Sequence, residues 1–165
     1  MSDSEVQITS HVKDIEGQFD EAILRALEIC GGMAESYAKE NLTDNGSVDT
    51  GLLRNSITHA VGGEPAAISG YRADTGDKSG FYSGNAPTED TPYVMVGTNV
   101  EYAVYVEKGT GRHTSGGRQT GWTYKDSSGN WHASTGGRAK PYLKPAVENH
   151  EEEYRRVFEE ELKSN

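Results

Sequence analysis

Asp49-Thr50-Gly51 and Asp74-Thr75-Gly76 both spell the triplet of the aspartic proteases, whose two carboxyls share one proton. That chemistry needs each aspartate to follow a hydrophobic strand that buries the pair. Ser47-Val48 and Arg72-Ala73 precede these copies instead, so one triplet reads as a helix cap and the other as a turn. Asp74, Asp77, Glu89 and Asp90 fall in one loop region and could gather a hard cation, but their spacing does not follow a calcium-binding loop. A solvated acidic loop accounts for them. His11, His59, His113, His132 and His150 are scattered without metal-ligand spacing. Gly109-Thr110-Gly111-Arg112 lacks the lysine and spacing of a phosphate loop and reads as a flexible hinge. The expectation is a chain with no catalytic residue, no metal ligand and no cofactor.

A second set of residues carries recognition chemistry. Arg112, Arg118, Lys125, Arg138, Lys140 and Lys144 lie in a stretch almost free of acids, with Trp122, Tyr124 and Trp131 among them. Cations interleaved with aromatic rings can stack on single-stranded nucleic acid. The same side chains also anchor protein interfaces. The rest of the chain is acidic, which favours the protein reading. A basic arm meets the acidic surface of the next copy, and such a head-to-tail contact can close into a ring. Arg118, Trp122, Tyr124, Trp131 and Arg138 are the candidate interface residues. Nucleic-acid binding through residues 112–144 is the alternative.

Composition bounds what can position these groups. The 165 residues suit one domain, 1–165, with residues 112–140 as an arm inserted in it. Hydrophobic residues make up 33%, below the usual apolar share even after allowing for glycine. A thin core results, and burial against neighbours is expected to help. Sixteen bases against 26 acids give a net charge of −10. That opposes duplex-DNA binding by phosphate neutralisation. It suits a surface past which DNA slides without sticking. Cys30 is the one cysteine and falls on an apolar helical face, as a small buried hydrophobe would. Met1-Ser2-Asp3-Ser4-Glu5 lacks the features of a signal peptide, and no apolar run is long enough to cross a bilayer.

Ile15, Phe19, Ala22, Ile23, Ala26, Leu27, Cys30, Ala34, Tyr37 and Ala38 recur at helical spacing. Gly31-Gly32 interrupts them and predicts a kink or a close approach by another backbone. Asp44-Asn45-Gly46 stops the helix. Asp49 or Thr50 reads as the N-cap of a short helix through Leu53, and Ile57–Val61 as a strand. Between Gly62 and Pro92 a loop-like composition prevails, with an extra strand expected near Ala67–Ala73. Tyr93–Gly97 is a second strand. Tyr102-Ala103-Val104-Tyr105-Val106-Glu107 fits either a helical turn and a half or a short strand. Trp122–Trp131 reads as a β-hairpin, with Trp122 and Tyr124 on one face, Trp131 near them across the turn, and flexible glycines around it. Pro145 suits the first turn of one final helix with the stripe Val147, His150, Tyr154, Val157, Phe158 and Leu162.

Three runs together resemble a known family. They are Val48-Asp49-Thr50-Gly51-Leu52-Leu53-Arg54-Asn55-Ser56-Ile57, then Tyr93–Thr98 continuing into Tyr102–Glu107, then Ala139-Lys140-Pro141-Tyr142-Leu143-Lys144-Pro145-Ala146. The wording and order resemble the tail-completion or head–tail joining proteins of lambdoid and related long-tailed phages. The resemblance implies a small α+β protein without catalytic activity. It implies a ring of six or twelve copies at the neck of the virion, made in the host cytoplasm. Its neighbours would be neck, connector and tail-tube proteins, with DNA passing the lumen unbound and no membrane involved. The fold expected is α+β, a small, mainly antiparallel sheet packed by a long N-terminal helix and a C-terminal helix, with a projecting hairpin. Phe19, Ile23 and Leu27 are expected to pack on that sheet.

Overall fold

The computed structural model describes residues 12–62, 81–82, 92–126 and 128–164. The expected strand near Ala67–Ala73, the acidic loop cluster and the second Asp-Thr-Gly triplet lie outside those residues.

Helix α1 (Val12–Asp44) runs unbroken through Gly31 and Gly32. Ala22, Ala26, Cys30, Ala34, Ala38 and Leu42 are buried at every fourth position. Four residues advance about 400° around a helix, so this stripe precesses and gives α1 different neighbours along its length. The helix ends as its sequence dictates. Gly46 takes φ +67°, its N–H bonds to the Thr43 carbonyl, and the Ser47 N–H reaches back to Leu42. That is a glycine-terminated Schellman motif.

The first Asp-Thr-Gly triplet is a turn, and the cap differs from expectation. Helix α2 (Leu52–Ser56) begins after Gly51, at φ +80°, while the Thr50 hydroxyl accepts from the Leu52 N–H at 3.3 Å. Glycine holds the cap position because the turn requires a left-handed backbone that aspartate and threonine adopt at a cost. Strand β1 (Thr58–Val61) follows, then β2 (Phe81–Tyr82) and β3 (Val94–Thr98), in the antiparallel order β1-β3-β2. The ambiguous tyrosine run forms helix α3 (Ala103–Lys108).

Helix α1 lies over β1 and β3. Gly31 is where they meet: a Cβ there would stand 2.5 Å from His59 Cδ2 and 2.6 Å from Val94 Cγ2. The approach is made by side chains of the sheet, not by another backbone as expected. His59 then reaches two carboxylates of α1, Glu35 at 2.6 Å and Glu28 at 3.3 Å. Leu27 is buried on α1, but Phe19 is 50% exposed and does not join the sheet as expected. Residues 17–20 are all exposed, so this turn of α1 lies before the packed part of the helix, which begins at Ala22.

The single final helix expected from the sequence is two helices, α4 (Leu143–Glu148) and α5 (Glu151–Lys163). His150 leaves the helical backbone region, and its carbonyl accepts the Glu153 and Tyr154 N–H groups that start α5. Val147 of the expected stripe falls in α4, apart from the α5 residues, and is exposed. α5 runs antiparallel along α1. Arg25 meets Glu161 at 3.2 Å, the Cys30 thiol faces the Tyr154 carbonyl, and Tyr37 donates to Glu153 while stacking on the His150 ring at 3.5 Å. Burial pushes the Cys30 thiol up and the Tyr154 hydroxyl up to about 12.

The core collects Leu42, Leu53, Ile57, Val100, Ala103, Tyr142, Leu143 and Ala146. Each large side chain there contributes about 1.5–3 kcal/mol by leaving water. All three sequence runs that carry the resemblance converge on this cluster. Glu107 fastens the second run to the third. Only 8% exposed, it accepts the N–H groups of Tyr142 at 2.7 Å, Leu143 at 3.0 Å and Lys144 at 3.0 Å. A carboxylate across the chain thus caps the start of α4, whose amide ends attract negative charge.

Candidate assembly interface

The segment between α3 and α4 leaves the body and returns to it. Its base is a stem of two backbone stretches in direct contact. Thr110 N–H bonds to the Gly137 carbonyl, Arg112 N–H to Thr135 and Lys140 N–H to Val106. Gly109, Gly111 and Gly136 all have positive φ there. A Cβ on Gly136 would collide with the Thr110 carbonyl, and one on Gly111 with that of Thr135. The Gly109-Thr110-Gly111 hinge and the glycine joints expected around the arm are therefore corrected at these positions. The glycines are present because the two backbones touch.

Beyond the stem, β4 (Trp122–Lys125) and β5 (Trp131–Ser134) pair antiparallel as a sheet of their own. The register sets Trp122 opposite Ser134, Tyr124 opposite His132 and Lys125 opposite Trp131. Trp122 and Tyr124 share one face, as expected. Trp131 does not join them, because pairing with Lys125 puts it on the other face. Its ring there lies 6.0 Å from the Lys125 ammonium, within reach of a cation–π attraction. Tyr124 stacks on His132 at 5.3 Å.

Asp126 builds the tip. Its Oδ1 accepts the Ser128 and Asn130 N–H groups at 2.9 and 2.8 Å, and Oδ2 lies 2.8 Å from His132 Nε2. The bond to His132, with those to Asn130 and Ser128, holds the Asp126 carboxyl below its usual range. Arg118, Trp122, Thr123, Ser134 and Thr135 line an open groove of about 620 Å³ along the strands. The arm thus brings Arg118 to Trp122, sets Tyr124 farther along, places Trp131 on the reverse face, and leaves Arg138 exposed on the return to the stem. Trp131 is 70% and Tyr124 49% exposed.

Sequence reasoning passed over Glu107 and the Glu28–His59–Glu35 contact. For Glu107 the available signal was a lone acid closing an otherwise apolar run. Among the described residues, no group of three or more histidine, cysteine or acidic side chains is arranged to hold a metal ion. No described helix is long and apolar enough to cross a membrane.

A family model described as "Bacteriophage HK97-gp10, putative tail-component" matches residues 7–109. The match takes in α1, the three-stranded sheet and α3, which is well over half of the chain. The chain belongs to this family of phage tail components. No curated protein and no solved structure matches it. The HK97-gp10-like match covers the first two of the three runs singled out above and stops at Gly109, where the stem begins. A tail component is a structural protein of a tailed bacteriophage and belongs to the virion.

Proposed function

We propose that this chain is a non-enzymatic tail-completion or head–tail connector subunit, which forms a ring in the neck around the DNA channel. Membership of the HK97-gp10-like family carries the reading. Two features support it. The net charge of −10 suits a channel wall that DNA passes without binding. The arm extends exposed rings and cations away from a thin core, as a subunit that completes itself against neighbours would. Six copies fit a sixfold tail tube and twelve a portal-side adaptor.

Cryo-microscopy of the phage tests the proposal. The expected result is a closed ring of this chain between head and tail tube, and free heads beside free tails when its gene is deleted. Density confined to the distal tail, or normal joining without the gene, overturns it. Nucleic-acid binding through residues 112–144 is the second reading, favoured by the arm's cations beside exposed Tyr124 and Trp131. Binding to single strands that weakens steeply with salt would support it, and none at low salt would remove it.

A further inference from the structure

In a chain with ten more acids than bases, a cation on the surface ordinarily finds a carboxylate nearby. The arm gathers several exceptions, and Arg54 and Arg156 are others elsewhere. Among the described residues, none of Arg112, Arg118, Lys125 and Arg138 meets a carboxylate, although ion pairs occur along α1, α4 and α5. Arg118 turns to the Thr120 hydroxyl and Lys125 to the Trp131 ring.

Helix α5 presents the complementary deficit. Its exposed acids Glu151 and Glu159 are taken by Arg155 and Lys163 one turn on. Glu152 and Glu160 are exposed and have no ion partner, although Arg156 stands one turn from each. So three guanidinium groups of the arm and two exposed carboxylates of α5 have no ion partner, on different elements.

Resting on the ring reading above, we propose that the arm of one copy docks on α5 of a second copy, with Arg118 and Arg138 meeting Glu152 and Glu160. The groove beside Trp122 takes the helix, and the exposed Tyr124 ring on the same face is covered in the same contact. Arm and helix are different surfaces, so the contact is head-to-tail and propagates until it closes. The glycine stem matters here because it fixes the direction in which the arm leaves the body.

Charge reversal on the full-length chain tests this. Arg118→Glu with Arg138→Glu, or Glu152→Lys with Glu160→Lys, should each weaken self-association about a hundredfold or more, read by analytical ultracentrifugation. Mixing the two variants, or combining all four changes in one chain, should restore assembly. Circular dichroism confirms that each variant folds. Reversals without effect, or a combined chain no better than either pair, overturn the proposal. So does a wild-type chain that stays monomeric when concentrated. Incorporation into virions is scored separately. Arm variants that self-associate normally but fail to enter tails would show that the arm binds another tail protein, ending this proposal while leaving the tail reading intact.

Discussion

Glu107 and Asp126 show how a carboxylate can organise backbone at opposite degrees of burial. Glu107 satisfies three amides at a buried helix start, so its removal leaves donors without water or partner. Glu107→Ala should cost about 3–5 kcal/mol, and Glu107→Gln about 1–3 kcal/mol because one acceptor oxygen survives. Urea denaturation checks this, and an unchanged midpoint for the alanine variant would refute the capping role. Asp126 works in the open. Its carboxyl is held below the ordinary value of 3.8, so its folded form favours the ionised state. The order it gives the tip is full above that value and is lost as pH falls through the lowered one. An NMR acid titration should find the Ser128 and Asn130 amide signals moving together in that range. Amides that already move at or above pH 3.8 would contradict it.

Adjacent glycines on α1 give a test at the scale of the element. Both weaken the helix relative to alanine, by about 1 kcal/mol each. Only Gly31 is pressed by the sheet, through His59 and Val94, whereas a Cβ on Gly32 would lie an ordinary 3.7 Å from His59 Cε1. Gly32→Ala should therefore stabilise the protein by about 0.5–1 kcal/mol. Gly31→Ala should destabilise it by about 1–3 kcal/mol, since overpacking pushes helix and sheet apart. Thermal melts of the two variants should shift in opposite directions. Shifts of the same sign would mean that α1 does not rest on β1 and β3 as described.

For the whole molecule, the decisive division is between body and arm. The stem's bonds from Thr110 to Gly137 and from Lys140 to Val106 belong to the body side. Replacing residues 122–133 with an Asn-Gly turn should therefore leave the melting temperature within a few degrees of wild type. The same chain should not assemble. A monomer that unfolds would show the hairpin to be part of the core, and rings that still form would show it to be dispensable. Body stability also depends on the thin core around Ile57 and Tyr142, so surface charge changes on the arm should leave the fold intact.

Local patterning was sufficient for the elements themselves. The every-fourth apolar residues of α1, the stop at Gly46, the strands at β1 and β3 and the hairpin near Trp122 follow from period and turn chemistry, which act over a few residues. The family was legible too, because two of the three short runs that resemble it lie within the matched residues. What the sequence could not specify is which surfaces those elements turn to one another. Trp131 is placed by strand register, a relation between residues on two strands. Phe19 is exposed because packing against α1 begins only at Ala22. Glu107 finds its amides 35 to 37 positions away, and the stem glycines are required by contact between stretches about 26 residues apart. Such relations exist only after the chain has closed on itself, and tertiary packing decides them.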